Sequence, residues 1–185
     1  MQSRTAALGV GWRAAAGDAG RAMSGYLGLG TNLGDRLANL QKAVDELPPQ
    51  VIVLRTSSIY ESEPWGFSDQ PAFLNQVLEV ETGLPPVGLL EYLKQIEMKM
   101  GRQPTFRYGP RLIDIDILFY GDQVIDLPDL AIPHPRLPER AFMLVPLAEL
   151  APDLRHPENH KSVLEMLSIL DTSGVSKYSP NAFGH

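Results

Sequence analysis

One stretch constrains the fold more than any other: Ile113-Asp114-Ile115-Asp116-Ile117-Leu118-Phe119. Ile113, Ile115, Ile117 and Phe119 are apolar, and aspartates fill the two alternate positions at its start. Successive side chains on a strand point to opposite faces, so this run predicts a strand with one apolar and one acidic face. Such a strand needs partners, and the rest of the chain supplies them in order. Tyr26–Gly30 reads as a short strand, Asn32 offers a helix cap, and Leu37, Leu40, Val44 and Leu47 recur at helical spacing until Pro48-Pro49. Val51–Tyr60 is rich in β-branched residues and predicts a second strand, Glu61–Pro71 a loop, and Leu74–Thr82 a third strand. Pro85-Pro86 opens a helix with Leu89, Leu93, Ile96 and Met100 inward, and Gly101 stands where its end wants a left-handed residue. Residues 102–110 form a loop, and Ile113–Tyr120 is the last strand, closed by Gly121-Asp122. The order β-α-β-β-α-β is that of the α+β, ferredoxin-like plait, an antiparallel sheet carrying two helices. Beyond it, proline-punctuated loops hold two C-terminal extra helices, near Glu139–Leu150 and Ser162–Leu170. A single domain over 23–172 is expected, with a disordered or atypical extension at 1–22 and a tail at 173–185.

Composition narrows the function. The chain has no cysteine, which excludes a disulfide scaffold, a thiolate metal site and a cysteine nucleophile. The apolar run Ala141–Leu150 is interrupted by Pro146 and falls short of a membrane span. A formal charge of −6 argues against a general nucleic-acid binder. A cytoplasmic protein with no membrane or nucleic-acid partner is the expectation.

Asp114 and Asp116 would project from one face of their strand, roughly 6.6 Å apart along it. Oxygen ligands so spaced suit Mg²⁺, which takes one or two carboxylates and completes its shell with phosphates and water. Arg102, Arg107 and Arg111 precede them with no acid between, and Arg136 and Arg140 follow near His134. Guanidinium groups beside metal-binding carboxylates are the machinery of phosphoryl transfer. Known nucleotide motifs fail. There is no Gly-Lys dipeptide for a P-loop, and Gly28-Leu29-Gly30-Thr31-Asn32-Leu33-Gly34 brings its third glycine one residue late for a dinucleotide fingerprint. In His156-Pro157-Glu158-Asn159-His160, the glutamate is misplaced for a zinc protease and Pro157 breaks the helical face. Trp65 and Phe67 in the loop, with Phe73 and Asn75, offer flat faces beside a carboxamide, which suits a heterocycle's edge. On the residues alone, solvent-facing acids, a solvated arginine loop and core packing for Phe73 remain alternatives.

The stretch Tyr108-Gly109-Pro110-Arg111-Leu112-Ile113-Asp114-Ile115-Asp116 is similar to the Gly-Pro-Arg-x-x-Asp-x-Asp motif of the 6-hydroxymethyl-7,8-dihydropterin pyrophosphokinases of folate biosynthesis. Other matches follow in order: Gly28-x-Gly-Thr-Asn32, Ser57-Ser-x-Tyr60, Phe73-Leu-Asn75, Ile96-Glu97, Gly101-Arg102, Pro133-His134 and Arg140-x-Phe142-Met-Leu-x-Pro146-Leu. The resemblance spans residues 25–157. It implies magnesium-dependent transfer of pyrophosphate from ATP to the pterin's hydroxymethyl group, releasing AMP, by a protein expected to be a monomer. Asp114 and Asp116 would hold two Mg²⁺ ions, and Arg102 and Arg111 would stabilise the phosphates during transfer. Glu97, Arg107, Tyr108, Ile117, His134 and Arg140 would serve the nucleotide. Ser62, Trp65, Asn75 and Phe142 would serve the pterin, with an aromatic at Phe73 or Tyr108 packing against its ring. Three residues depart from the pattern: Pro104 where many members carry a further arginine, Tyr108 for a common tryptophan, and Asp129 at a position basic in some. Another Mg²⁺–nucleotide transferase on the same plait, or a noncatalytic sheet that binds RNA through aromatics, are the rival readings.

Overall fold

The computed structural model describes residues 21–180, so the expected extension lies almost wholly outside the described residues, as does the end of the tail. The chain runs β1 (Met23–Thr31), α1 (Arg36–Glu46), β2 (Val51–Thr56), β3 (Tyr60–Ser62), β4 (Phe73–Thr82), α2 (Pro86–Lys99) and β5 (Asp114–Tyr120). There follow β6 (Ile125–Leu127), β7 (Leu130–Ile132), a 3₁₀ turn (Leu137–Glu139), α3 (Ala141–Leu150), α4 (Val163–Ser168) and β8 (Val175–Lys177). The main sheet has the order β5-β1-β4-β3-β8, with β2 also on β4, and its pairs are antiparallel. This is the ferredoxin-like α+β arrangement.

Strand alternation divides the sheet into two faces. Leu27 and Leu29 of β1, Leu74, Leu78 and Val80 of β4, and Ile115 and Ile117 of β5 pack with Leu40, Leu89, Leu93 and Ile96 of the two helices. On the opposite face Val77, Leu118 and Phe119 pack with Leu137, Leu144, Leu147, Val163 and Met166. Each fully buried leucine or isoleucine contributes about 1.5–3 kcal/mol. Both helical layers therefore anchor the sheet, but the second covers only part of its face.

Several local expectations change. Helix α1 is capped by Asp35, whose Oδ1 accepts from the Ala38 amide at 3.0 Å, and not by Asn32. The expected strand Val51–Tyr60 is two strands. Ser57 interrupts it, its Oγ accepting from the Val77 amide, and Glu149 of α3 accepts from the Ser58 amide and hydroxyl and from the Tyr60 hydroxyl. Side chains that bond the backbone here replace ladder bonds. Glu61 and Ser62, expected in a loop, belong to β3. The β6–β7 hairpin lies in a region read as loops. Val175–Lys177, expected as tail, pairs with β3 at the sheet's edge. Within β5 the register skips Leu118, because Tyr26 faces Phe119 while Leu27 faces Ile117. A bulge of this kind rotates the following residues. Phe119 consequently leaves the isoleucine face and packs with the second layer.

Candidate active site

Where α3 and α4 stop, the second face of the sheet is open and forms a cleft of about 270 Å³. Its floor is made by alternate residues of three strands: Gly28 and Gly30 from β1, Asn75 and Val77 from β4, and Asp114 and Asp116 from β5. The glycines keep this floor low. A Cβ on Gly30 would come within 3.5 Å of Asn75 Oδ1 and 3.8 Å of the Phe73 ring.

The carboxylate side is built on the end of α2. Gly101 adopts φ +97°, and the Arg102 amide donates back to the Glu97 carbonyl at 3.0 Å. This left-handed turn brings the Arg102 guanidinium onto two acids. One bond goes to Glu97 Oε2, and Arg102 Nη2 lies 3.3 Å from Asp114 Oδ1. Glu97 is buried, and its Oε1 accepts from the Ile115 amide at 2.7 Å. Burial raises its pKa, against the Ile115 hydrogen bond, and Asp114 adds to the rise. Asp116 is also pushed up, by burial first and by the neighbouring Asp114 charge second. Asp116, disfavoured in its charged form beside a second carboxylate, belongs to a donor set that a cation would complete.

His134 stands over Asp116, with Nε2 4.0 Å from its Oδ2. The Arg136 amide donates to His134 Nδ1 at 3.2 Å, which leaves the proton of the neutral ring on Nε2. Burial and then Arg140 lower the imidazole to about 4, so the ring is neutral near pH ~7. Arg140 lies across the rings of Trp65 (5.3 Å) and Phe142 (5.6 Å). Its Nε is buried with no hydrogen-bond partner among the described residues. A buried charged donor left unpaired costs about 1–3 kcal/mol, so this atom is suited to an incoming anion.

The aromatic side consists of two loops locked together. Trp65 meets Tyr108 edge to face at 4.9 Å, and Phe67 meets Phe106 at 5.0 Å. Asn32 and Gln70 supply the polar part of the lock. Asn32 Oδ1 accepts from the Arg111 amide, its Nδ2 donates to Gln70 Oε1, and Gln70 Nε2 donates to the Tyr108 carbonyl. Tyr108 is held at φ +62°, a left-handed conformation disfavoured for a bulky residue, and these contacts offset its strain. At the cleft end Asn75 Nδ2 donates to Ser62 Oγ at 2.7 Å within buried surroundings, which fixes the plane of the amide.

Residues 26–152 match the family described as 7,8-dihydro-6-hydroxymethylpterin-pyrophosphokinase. The chain belongs to this family. A 2-amino-4-hydroxy-6-hydroxymethyldihydropteridine pyrophosphokinase of Methylorubrum extorquens is 48% identical over 155 residues, covering 82% of this chain and 96% of that one. A pyrophosphokinase of the same name from Aquifex aeolicus is 45% identical over 140 residues, covering 76% of this chain and 88% of that one. Among solved structures, Plasmodium falciparum HPPK-DHPS wild type with pterin and p-hydroxybenzoate shares the fold at TM-score 0.65 and 18% identity. That match covers 80% of this chain and 42% of the Plasmodium chain, so this chain spans less than half of it.

Against this pyrophosphokinase background, most candidate residues converge. Ser62, Trp65, Phe73, Asn75, Arg107, Tyr108, Arg111, Asp114, Asp116, His134, Arg140 and Phe142 all line the cleft. Glu97 and Arg102 sit behind Asp114 and reach it through the ion pairs described above. Ile117 is the exception. Its side chain is buried with Ile113 and Ile115 on the α1–α2 face, away from the cleft lining. Among the described residues no group of three or more acidic or histidine side chains is gathered to hold a metal ion. Two carboxylates alone still fit Mg²⁺, whose remaining ligands are phosphate and water oxygens. No helix of the described residues is long and apolar enough to cross a membrane. The Asn32–Gln70 lock, Glu63, Gln76 and Met143 were not among the candidates.

Proposed function

We propose that this cleft performs its family's reaction, pyrophosphoryl transfer from ATP to 6-hydroxymethyl-7,8-dihydropterin in folate biosynthesis, with the roles divided between its two sides. The observation that carries the reading is the Asp114–Asp116 pair facing an aromatic pocket across a glycine floor. Asp114 and Asp116 would hold two Mg²⁺ ions, which supply charge neutralisation for the triphosphate. Arg102 and Arg111 stabilise the phosphates as charge shifts, and Arg140, with its unpartnered Nε, receives an anionic oxygen. His134 offers its Nε2 proton to the nucleotide as a neutral donor, and Glu97 orients Arg102. Arg107 and Tyr108 close over the nucleotide side, and water is kept from the phosphates by that loop. Trp65, Phe73 and Phe142 hold the pterin ring, while Asn75, oriented by Ser62, bonds its edge.

The acceptor hydroxyl oxygen attacks the β-phosphorus, and the bond from that phosphorus to the α,β-bridging oxygen breaks. AMP leaves and the hydroxyl proton passes to solvent. Little covalent work falls to the protein, so positioning and electrostatics supply the rate. The same reading takes the protein as a cytoplasmic monomer, checked by sedimentation at one protomer mass. An assay with ATP, Mg²⁺ and the hydroxymethyl pterin tests the function. AMP is expected in step with pterin diphosphate, and ADP formation or pterin-independent turnover would overturn it.

A further inference from the structure

Arg36 is the first residue of α1, a helix terminus whose aligned amides disfavour a cation. The only acid at this terminus among the described residues is the capping Asp35, whose carboxylate is engaged with the Ala38 amide. Its guanidinium instead turns away to the β3–β4 connection. One nitrogen, Nη1, donates to Glu61 Oε2 at 2.7 Å and to the Ala72 carbonyl at 2.9 Å. Glu61 belongs to β3 and Ala72 immediately precedes β4, so these two groups stand at the two ends of the ten-residue segment 63–72 that carries Trp65 and Phe67. The same guanidinium lies 5.8 Å from the centre of the Tyr178 ring. Tyr178 in turn is tied to the entry of β3, its amide donating to the Ile59 carbonyl at 2.8 Å. The Glu63 amide donates to the Gly174 carbonyl, so the C-terminal segment reaches the loop's first residue as well.

We infer that Arg36 is a positioning residue for the pterin: bonded to both stems of the 63–72 loop, it sets the pose of the aromatic wall without touching substrate. The inference rests on the reading of that wall as the pterin side. Charge-assisted bonds from a rigid helix end hold a loop more firmly than the short β3–β4 ladder does alone. The loop's own interior bonds run to Asn32, Phe67 and Tyr108, which belong to neighbouring loops or to the loop itself. Arg36 joins it to a helix packed on the far face of the sheet.

The test uses Arg36→Met, which keeps the aliphatic stem, and Glu61→Gln, which keeps shape and removes charge. For Arg36→Met, the KM for the pterin is expected to rise about five- to tenfold with the KM for ATP within about twofold, and Glu61→Gln to show a smaller rise of the same kind. Amide hydrogen exchange on the free protein should quicken about tenfold in 63–72 and stay unchanged in α2 and β5. Arg36→Lys, which keeps the charge and three donors but has a different reach and no planar guanidinium, should recover part of the pterin KM. Unchanged exchange in the loop would overturn the inference, as would both KM values rising together with a lowered melting temperature. Exchange is read without substrates, so wild-type protein that does not bind the pterin would instead overturn the functional reading.

Discussion

Strands β1, β4 and β5 build both faces of the sheet, and the two faces do opposite things with the same backbone. Toward α1 and α2 they present Leu27, Leu29, Leu78, Val80, Ile115 and Ile117. Toward the cleft the intervening positions carry Gly28, Gly30, Asn75, Asp114 and Asp116. The apolar face supplies stability that the cleft face uses up, since Asp116 stands half-buried next to Asp114 and is held away from its ordinary ionisation. Chemistry and stability are thus separated by single steps along one strand.

The sharpest attempt to break that separation is Asp116→Ala. AMP formation should fall by more than about a thousandfold, with the melting temperature equal to or above that of the wild type. Turnover within tenfold of normal, or a destabilised fold, would show that the cleft face is also a structural one. One residue earlier, Ile115→Ala should do the reverse. It should cost about 2–5 kcal/mol in denaturant unfolding while leaving kcat within about threefold where the protein remains folded. Its backbone amide still donates to Glu97, so the site keeps its frame.

The division between faces was legible in the alternation of Ile113–Asp116, and so was the carboxylate pair. It stopped being legible at Leu118, because a bulge is a decision taken between two strands and leaves no local signature. The break at Ser57 has the same character: Glu149 completes it from α3 by binding Ser58, 91 residues away in sequence. Asn32 suits a helix cap by its residue type, but the cleft needs it to bridge Arg111 and Gln70, and Asp35 caps the helix instead. The resemblance gives Ile117 to the nucleotide, whereas its own place in the alternation puts its side chain in the core. Pairings across long sequence separation, such as β3 with β8, carry no periodic trace in either partner.

A gentler probe concerns the part of the second face that is structural. His156 is buried against Phe119, edge to face at 5.9 Å, and its Nδ1 accepts from the Glu158 and Asn159 amides. Burial lowers its pKa from 6.5, so the native ring stays neutral where the unfolded chain is protonated. The unfolded state binds more protons in that window, and stability is therefore present above the ordinary imidazole range and lost as pH falls through it. Unfolding measured along a descending pH series should show this slope, and His156→Gln should reduce it, the remainder coming from His134, which is lowered in the same direction. An equal slope in the variant would remove His156 from the account.

The smallest expected effect tests how far the cleft face is held by its own polar groups. Ser62 is buried on β3, directly opposite Phe73, and its hydroxyl oxygen accepts the Asn75 amide proton. Removing it by Ser62→Ala leaves Asn75 in place and frees its amide to rotate, with a cost of about 1 kcal/mol in unfolding. If Asn75 reads the pterin's edge, a rotating amide meets that edge in its productive orientation only part of the time. The pterin KM should then rise about three- to tenfold while the ATP KM stays where it was. Asn75→Asp sharpens the point, because it keeps the acceptor and exchanges the donor facing Ser62 for a second acceptor. A pterin KM unchanged in Ser62→Ala but raised in Asn75→Asp would mean that the strand backbone alone orients Asn75. Unchanged values in both would move the pterin's polar contact off β4, and with it the contrast between a face that packs and a face that recognises.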